Sequence, residues 1–324
     1  MSVVVPAFQA EGRIGRTLAR LATQSFRDFE VVVVNDGSGD GTSGVVRRCM
    51  ARDERIRLVE QPNGGIAAAR NRGVVESCGD VLAFLDDDDL WHPDKLALQL
   101  ARLDAAPNAA VVSCLSALVD IEGRLLGWQL GGTPEGNVYR EMLEWDMVSG
   151  GSVAIVTRGA FEEAGGFDAS LPDRADWDLW IRLARRHPFT SIPRPLVGYT
   201  RRVGSVSQSY DRMLEHGTRV LQKARSEDPT ISESEFRAYV ARDLFGAACL
   251  CLVDERPDLA WRYLSRALEG SATMILGQPR RWGVMLMLAL ASVLPSRAYR
   301  AGPLALMSRL AFSIPAGRPF DSLV

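Results

Sequence analysis

Four consecutive carboxylates, Asp86 to Asp89, stand directly behind the apolar run VLAFL at 81–85. Ionised carboxylates this close repel one another and resist burial, so a cluster at a strand end needs a counter-charge. Mg²⁺ typically binds through one or two carboxylates plus substrate phosphates and keeps some of its water. The run is therefore a candidate divalent-cation site facing a phosphorylated ligand. The alternative is an acidic loop that caps the following helix, where carboxylates are favoured near the N-terminus. Other polar segments follow apolar runs at PAFQ (6–9), NDGSGDGT (35–42) and NGG (63–65). None is a GxGxxG or GxxxxGK[ST], so neither a dinucleotide fingerprint nor a P-loop is available. No Ser-His-Asp or Cys-His arrangement supplies a covalent nucleophile. His92, His187 and His216 form no recognisable metal set.

These residues need a scaffold, and the chain reads as one. SVVVP (2–6), EVVVVND (30–36), IRLVE (56–60) and VLAFLD (81–86) are β-branched or apolar runs. They alternate with helical patterns at 13–24, 42–53 and 66–77, and Pro93 sits where another helix could begin. Such alternation predicts an α/β fold: a mostly parallel, doubly wound, Rossmann-like sheet covered by helices on both faces. VVSCLSALVDIEGRLLG (111–127) breaks the pattern as a strand and turn. SVAIVT (152–157) reads as a further strand, followed by a helix, GGFD and a helix near 174–186. From about 205 onward the strand signal fades into helices. In open α/β sheets, ligands bind at the carboxyl ends of the strands, which is where the polar segments fall.

At 324 residues the chain can bury a sizeable core, and 47% apolar with 24% charged residues is ordinary for a soluble globular protein. A net charge of -2 gives no sign of a nucleic-acid binder. Five cysteines without a CxxC pair are too sparse for a disulfide framework. With no visible export signal, a reduced, cytoplasmic setting is the expectation.

The segments VVVPAFQ, VVVVNDGSGDGT, NGGIAAARNRG, GDVLAFLDDDDLWHPDKLALQL, GGSVAIVTRGAFEEAGGFD and ADWDLWIRLA occur in this order over residues 2 to about 205. The series resembles the family-2 glycosyltransferases of the glycosyltransferase-A fold. The resemblance implies an inverting enzyme that moves one sugar from a nucleotide-diphosphate sugar, by default a UDP-sugar, to a hydroxyl of a glycan or lipid-linked acceptor. By position, Pro6, Ala7 and Phe8 would lie beside the base and ribose. Asp36 would accept a hydrogen bond from the base, and Asn63 and Arg70 would lie near the nucleotide, with Arg70 a phosphate contact or a structural salt bridge. Asp86 and Asp88 match the metal-binding DxD for Mg²⁺ or Mn²⁺. Asp88 would be the direct ligand and Asp86 would be nearer the ribose, with Asp87 in the variable middle position. Asp176 matches the catalytic base. Gly151 and Trp177 are candidates for the acceptor side. The implied organisation is a catalytic domain over 1–205, with a nucleotide half at 1–108 and an acceptor half at 109–205, then a helical region over 206–324.

The chain departs from the pattern at Ala175, where many relatives carry an acid, and at Gly39, where a Thr is commoner. QPRRW (278–282) matches the QxxRW of processive synthases, but it lies far beyond Asp176, with no apolar run of the ~20 residues that span a bilayer. Single-sugar transfer is the expectation; a processive enzyme and a non-catalytic nucleotide-sugar binder are the alternatives. From Gly270 to Phe320 the chain has six arginines around GVMLMLALASVL (283–294) and no Asp, Glu or Lys. That pattern suits contact with an anionic membrane surface on its cytoplasmic side; a helix packed on the catalytic domain is the alternative.

Overall fold

The computed structural model describes residues 1–171, 173–200, 210–254 and 256–277, together with Phe320. QPRRW, the apolar run 283–294 and all six arginines of the 270–320 stretch lie outside the described residues. The chain forms two compact units. The first takes in Met1–Met142, Phe320 and the described part of Asp146–Val203; the second takes in Leu143–Trp145 and the described part of Gly204–Ser313.

In the first unit the valine-rich runs become β1 (Ser2–Ala7) and β2 (Glu30–Asp36), buried almost end to end. Strands covered on both faces read as continuous apolar runs rather than alternating ones. With β3 (Ile56–Gln61) and β4 (Val81–Phe84) they make the parallel order β3-β2-β1-β4. The crossovers are α1 (Ile14–Ala22), α2 (Thr42–Met50) and α3 (Ile66–Val75). In α1, Ile14, Thr17, Leu18 and Leu21 are buried, the i, i+3, i+4, i+7 stripe of a helix laid on a sheet. Beyond β4 the sheet becomes mixed. After β5 (Leu90–Trp91) and α4 (Lys95–Asp104) come β6 (Val111–Val119), β7 (Leu125–Leu130), α5 (Tyr139–Glu144), β8 (Ile155–Thr157), α6 (Arg158–Glu163), α7 (Ala175–Ala184) and β9 (Phe189–Thr200). The strand order continues β4-β8-β6-β9-β5, with β7 hairpinned onto β6.

Two features differ from the sequence reading. The strand expected over 152–157 is only Ile155–Thr157; Gly151–Val153 form a single 3₁₀ turn before it. The twelve-residue β9 has no counterpart in the sequence reading, because Pro193 and Pro195 interrupt its apolar run and proline cannot donate to a ladder. The sheet accommodates them with register shifts on β6 between Cys114 and Ser116, opposite Ile192 to Val197.

The second unit is helical: α8 (Tyr210–Glu227), α9 (Glu233–Val253) and α10 (Pro257–Leu276). A capping box of Ser232 and Glu235 starts α9, and Pro257 starts α10, where its missing N–H costs nothing. Leu244, Phe245, Ala248, Tyr263, Leu264 and Ile275 are among the residues of its core. Among the described residues, no helix is long and apolar enough to cross a membrane.

Candidate functional site

The carboxyl ends of β1, β2 and β4 open onto one rim. Pro6 and Ala7 close β1 inside the sheet, and Phe8 emerges from it 46% exposed. At the end of β2 the Asp36 carboxylate accepts Gln61 Nε2 (2.7 Å), Gly64 N (2.8 Å) and Gly65 N (2.9 Å). It thereby anchors the NGG loop at the start of α3. Gly37 makes the turn possible, with φ +74° and room only for hydrogen, since a Cβ would sit 2.7 Å from Asn63 N. Asn63 itself is exposed on the loop.

The acidic run sorts itself by alternation. Asp87 and Asp89 turn inward and are buried, while Asp86 and Asp88 stay partly open. Asp87 is held by Arg13, whose Nε and Nη2 reach its two oxygens at 2.6 and 2.9 Å, and its Oδ2 also accepts Phe8 N at 3.3 Å. Burial pushes the Asp87 carboxyl up, against the lowering effect of Arg13. Asp89 accepts Thr200 N at 3.2 Å and a bond from the Ser152 hydroxyl; burial first, then the charges of Asp88 and Asp86, push it well above the usual carboxylate range. Thr17 of α1 ties the run down by donating to the Asp87 carbonyl at 3.0 Å. Thr200 Oγ1 donates to the Asp88 carbonyl at 2.6 Å. The two open carboxylates are hard oxygen donors, and two carboxylates plus substrate phosphates are an ordinary Mg²⁺ set. Asp86 and Asp88 therefore fit a divalent cation bound together with a phosphorylated ligand.

Arg70 links this run to the other side of the site. It is buried in α3, and its Nη2 donates to Asp86 Oδ1 at 2.5 Å. Burial opposes its charge, but the carboxylates of Asp86, Asp176 and Asp89 outweigh that and raise its pKa. Its Nε is buried without a partner, and its guanidinium lies 5.1 Å from the Phe167 ring centroid. Gly151 packs directly against it: a Cβ there would sit 2.5 Å from Nη2. Asp176 stands in the first turn of α7, which Arg174 enters in the left-handed region at φ +61°. Among the described residues, Gln9, Ser149 and Arg174 are the non-glycine residues at positive φ. Each stands within three residues of a site position: Phe8, Gly151 and Asp176. Such strain tends to collect at functional sites.

The structure brings Pro6, Ala7, Phe8, Asp36 and Asn63 to one loop cluster. Arg70 donates to Asp86 and feels the charge of Asp176. Trp177 lies in the interior, 1% exposed, with its indole nitrogen donated to the Met142 carbonyl at 2.7 Å. That bond ties Met142 to α7, and the ring lies in the interior instead of lining an open face. Sequence reasoning missed Arg13 and Asp146. The Asp146 carboxylate accepts Val148 N (3.1 Å) and Ser149 N (2.9 Å). Burial, then the charge of Asp176, pushes it up to about 7.

The model of glycosyl transferase family 2 matches residues 2–163, half of the chain. An uncharacterized glycosyltransferase of Rickettsia bellii is 31% identical over 197 residues, covering 60% of this chain and 28% of the relative. The chondroitin synthase of Pasteurella multocida is 29% identical over 192 residues, covering 59% and 20%. The chain thus aligns with about a third or less of the length of these relatives. Among solved structures, the mannosyltransferase PcManGT from Pyrobaculum calidifontis, in complex with GDP-Man and Mn²⁺, superposes with a TM-score of 0.61 at 22% identity, covering 95% of this chain and 85% of that one. S. aureus TarS 1-349 with UDP-GlcNAc gives 0.60 at 19% identity, covering 95% and 90%. With its strand order, its open carboxylate pair and this match, the chain belongs to glycosyltransferase family 2 and carries the glycosyltransferase-A fold.

Proposed function

We propose that the protein transfers one sugar from a nucleotide-diphosphate sugar to an acceptor hydroxyl with inversion at the anomeric carbon. The observation that supports this reading is the buried guanidinium of Arg70, which donates to Asp86 and feels the charge of Asp176. One guanidinium would thus lie in the field of both the leaving-group support and the proton acceptor. Phe8 and Asp36 take the nucleoside, with Pro6, Ala7 and Asn63 shaping the surrounding rim. Arg70 faces the diphosphate. A divalent cation, Mg²⁺ or Mn²⁺, held by Asp86 and Asp88 would offset the charge that grows on the departing β-phosphate. Asp176 takes the proton from the acceptor hydroxyl as its oxygen bonds to the anomeric carbon. The bond from that carbon to the phosphate oxygen breaks, and its electron pair leaves with the nucleotide. One displacement needs no covalent intermediate, and inversion follows.

UDP-sugar is the default donor. TarS was solved with UDP-GlcNAc and PcManGT with GDP-Man, so the fold accommodates both nucleotides. The acceptor is a glycan or a lipid-linked glycan, as in bacterial surface polysaccharide assembly. The test is a nucleotide-release screen across UDP-, GDP- and dTDP-sugars with Mn²⁺, repeated in EDTA. One donor turned over with Mn²⁺ and silenced by chelation supports the reading; full turnover in EDTA removes the cation from it.

A further inference from the structure

Within the acidic run Asp87 is held by Arg13, as Asp86 is held by Arg70. Arg13 takes both oxygens of Asp87 through a fork, Nε to Oδ1 at 2.6 Å and Nη2 to Oδ2 at 2.9 Å. The same guanidinium caps two carbonyls of the β1-end loop, Gln9 O from Nη1 at 2.5 Å and Phe8 O from Nη2 at 2.9 Å. Phe8 N returns to Asp87 Oδ2 at 3.3 Å, closing a ring of bonds between two loops 79 residues apart in sequence. Gln9 is strained at φ +49°, and its N–H is fixed by Ser38 Oγ at 2.9 Å, which extends the ring to the loop after β2. Arg13, just ahead of α1, thus holds two strand-end loops together, and the Gln9 N–H bond to Ser38 joins the third to them.

We propose that Arg13 is a positioning residue for the nucleotide donor, clamping Asp87 to the β1-end loop so that exposed Phe8 and open Asp86 and Asp88 keep a fixed spacing. A fork of this kind locks orientation in a way a point charge cannot. Neither Arg13 nor Asp87 touches the reacting atoms in this inference. Asp87 serves the donor through the loop it holds. The inference rests on the reading of this rim as a nucleotide-sugar site.

The test compares the wild-type protein with Arg13→Lys and with the double variant Arg13→Met/Asp87→Asn. The double variant removes both charges together, so no buried carboxylate is left unpaired. Calorimetric binding of UDP and of GDP, each with Mn²⁺, is measured beside donor KM, kcat and melting temperature. The double variant is expected to lose roughly tenfold in affinity for the bound nucleotide and to raise donor KM by a similar factor. Its kcat should stay within about twofold, and Arg13→Lys, which keeps the charge without the fork, should fall between it and wild type. A merely structural pair would lower the melting temperature and leave KM alone. Folded variants with unchanged KM and affinity would overturn the clamp while leaving the function standing. If the double variant fails to fold, Arg13→Lys decides alone by the same KM criterion. A wild-type protein with no affinity for either nucleotide would overturn the functional reading, and the clamp with it.

Discussion

The proposed donor and acceptor halves of the first unit are built on different principles. On the donor side, parallel strands end in loops whose polar groups are largely tied to one another: Asp36 to the NGG loop, Asp87 to Arg13, Asp89 to Thr200 and Ser152. On the acceptor side the sheet is mixed, and the 3₁₀ turn, Ser149 and Arg174 deliver Gly151 and Asp176. In the first half long-range bonds from Arg13 and Thr200 hold Asp87 and Asp89, although Asp89 still faces the charges of Asp88 and Asp86. The second brings two carboxylates, Asp146 and Asp176, close enough to repel. On the function proposed above, the nucleotide would meet a network of bonded loops, whereas proton transfer would take place where Asp146 and Asp176 face each other.

The comparison is broken most sharply at Asp176. Asp176→Asn should cut transfer by roughly 10²–10⁴-fold, the usual cost of removing a general base, while nucleotide affinity stays at the wild-type value. Steady-state kinetics beside calorimetric binding would check this; a variant as active as wild type would leave the acceptor half without its proton acceptor. On the donor side, Asp88→Asn should lower turnover by roughly 10²-fold, as loss of one electrostatic stabiliser of the leaving group does. The loss should be accompanied by weaker Mn²⁺ binding, read by titration calorimetry. The seam between the halves is probed by Gly151→Ala. A methyl there meets the Arg70 guanidinium, so the bond to Asp86 should be displaced. Donor affinity should fall by about tenfold, although residue 151 lies on the acceptor side. An unchanged donor affinity in the alanine variant would separate the two halves.

The smallest effect concerns Asp146 and pH. In the fold its carboxyl titrates at about 7, above the ordinary 3.8, because of burial and then the charge of Asp176. Between those two values the folded state binds more protons than the unfolded one, so stability falls as pH rises. Asp146→Asn keeps an oxygen for Val148 N and Ser149 N but cannot ionise. It should match wild type near pH 4 and melt higher above pH 7, by at least a few degrees. Parallel melting curves at the two pH values would show it; an equal difference at both would mean the carboxylate is not held against its ordinary ionisation.

The two halves also differ in how far they can be read from the chain. The donor half is legible because its chemistry is local: each apolar run is followed at once by the polar residues it presents. The acidic run is legible as a site, but its inward and outward alternation is not, since Arg13 and Thr200 reach it from far away in sequence. β9 is hidden by its prolines, and the sheet accepts them only because β6 shifts register. Asp146 gives no signal of its own, since WDMVSGGS reads as a turn and its neighbour Asp176 lies on a separate helix. Trp177 reads equally well as an acceptor floor or as core on the sequence, and only its burial separates the two.

Ser152 has a consequence for anyone who would recombine this enzyme with its relatives. Its hydroxyl takes the Asp86 N–H at 3.0 Å and gives its proton to Asp89, and its carbonyl takes the Trp91 indole at 3.0 Å. A crossover near residue 108 looks natural on the sequence, yet it would give the serine to one parent and the carboxylates to the other. Chimeras meant to graft a new acceptor specificity onto this donor site should carry 85–92 and 150–154 from the same parent. Libraries that leave Gly151 fixed and vary the loop before it would keep that suture intact.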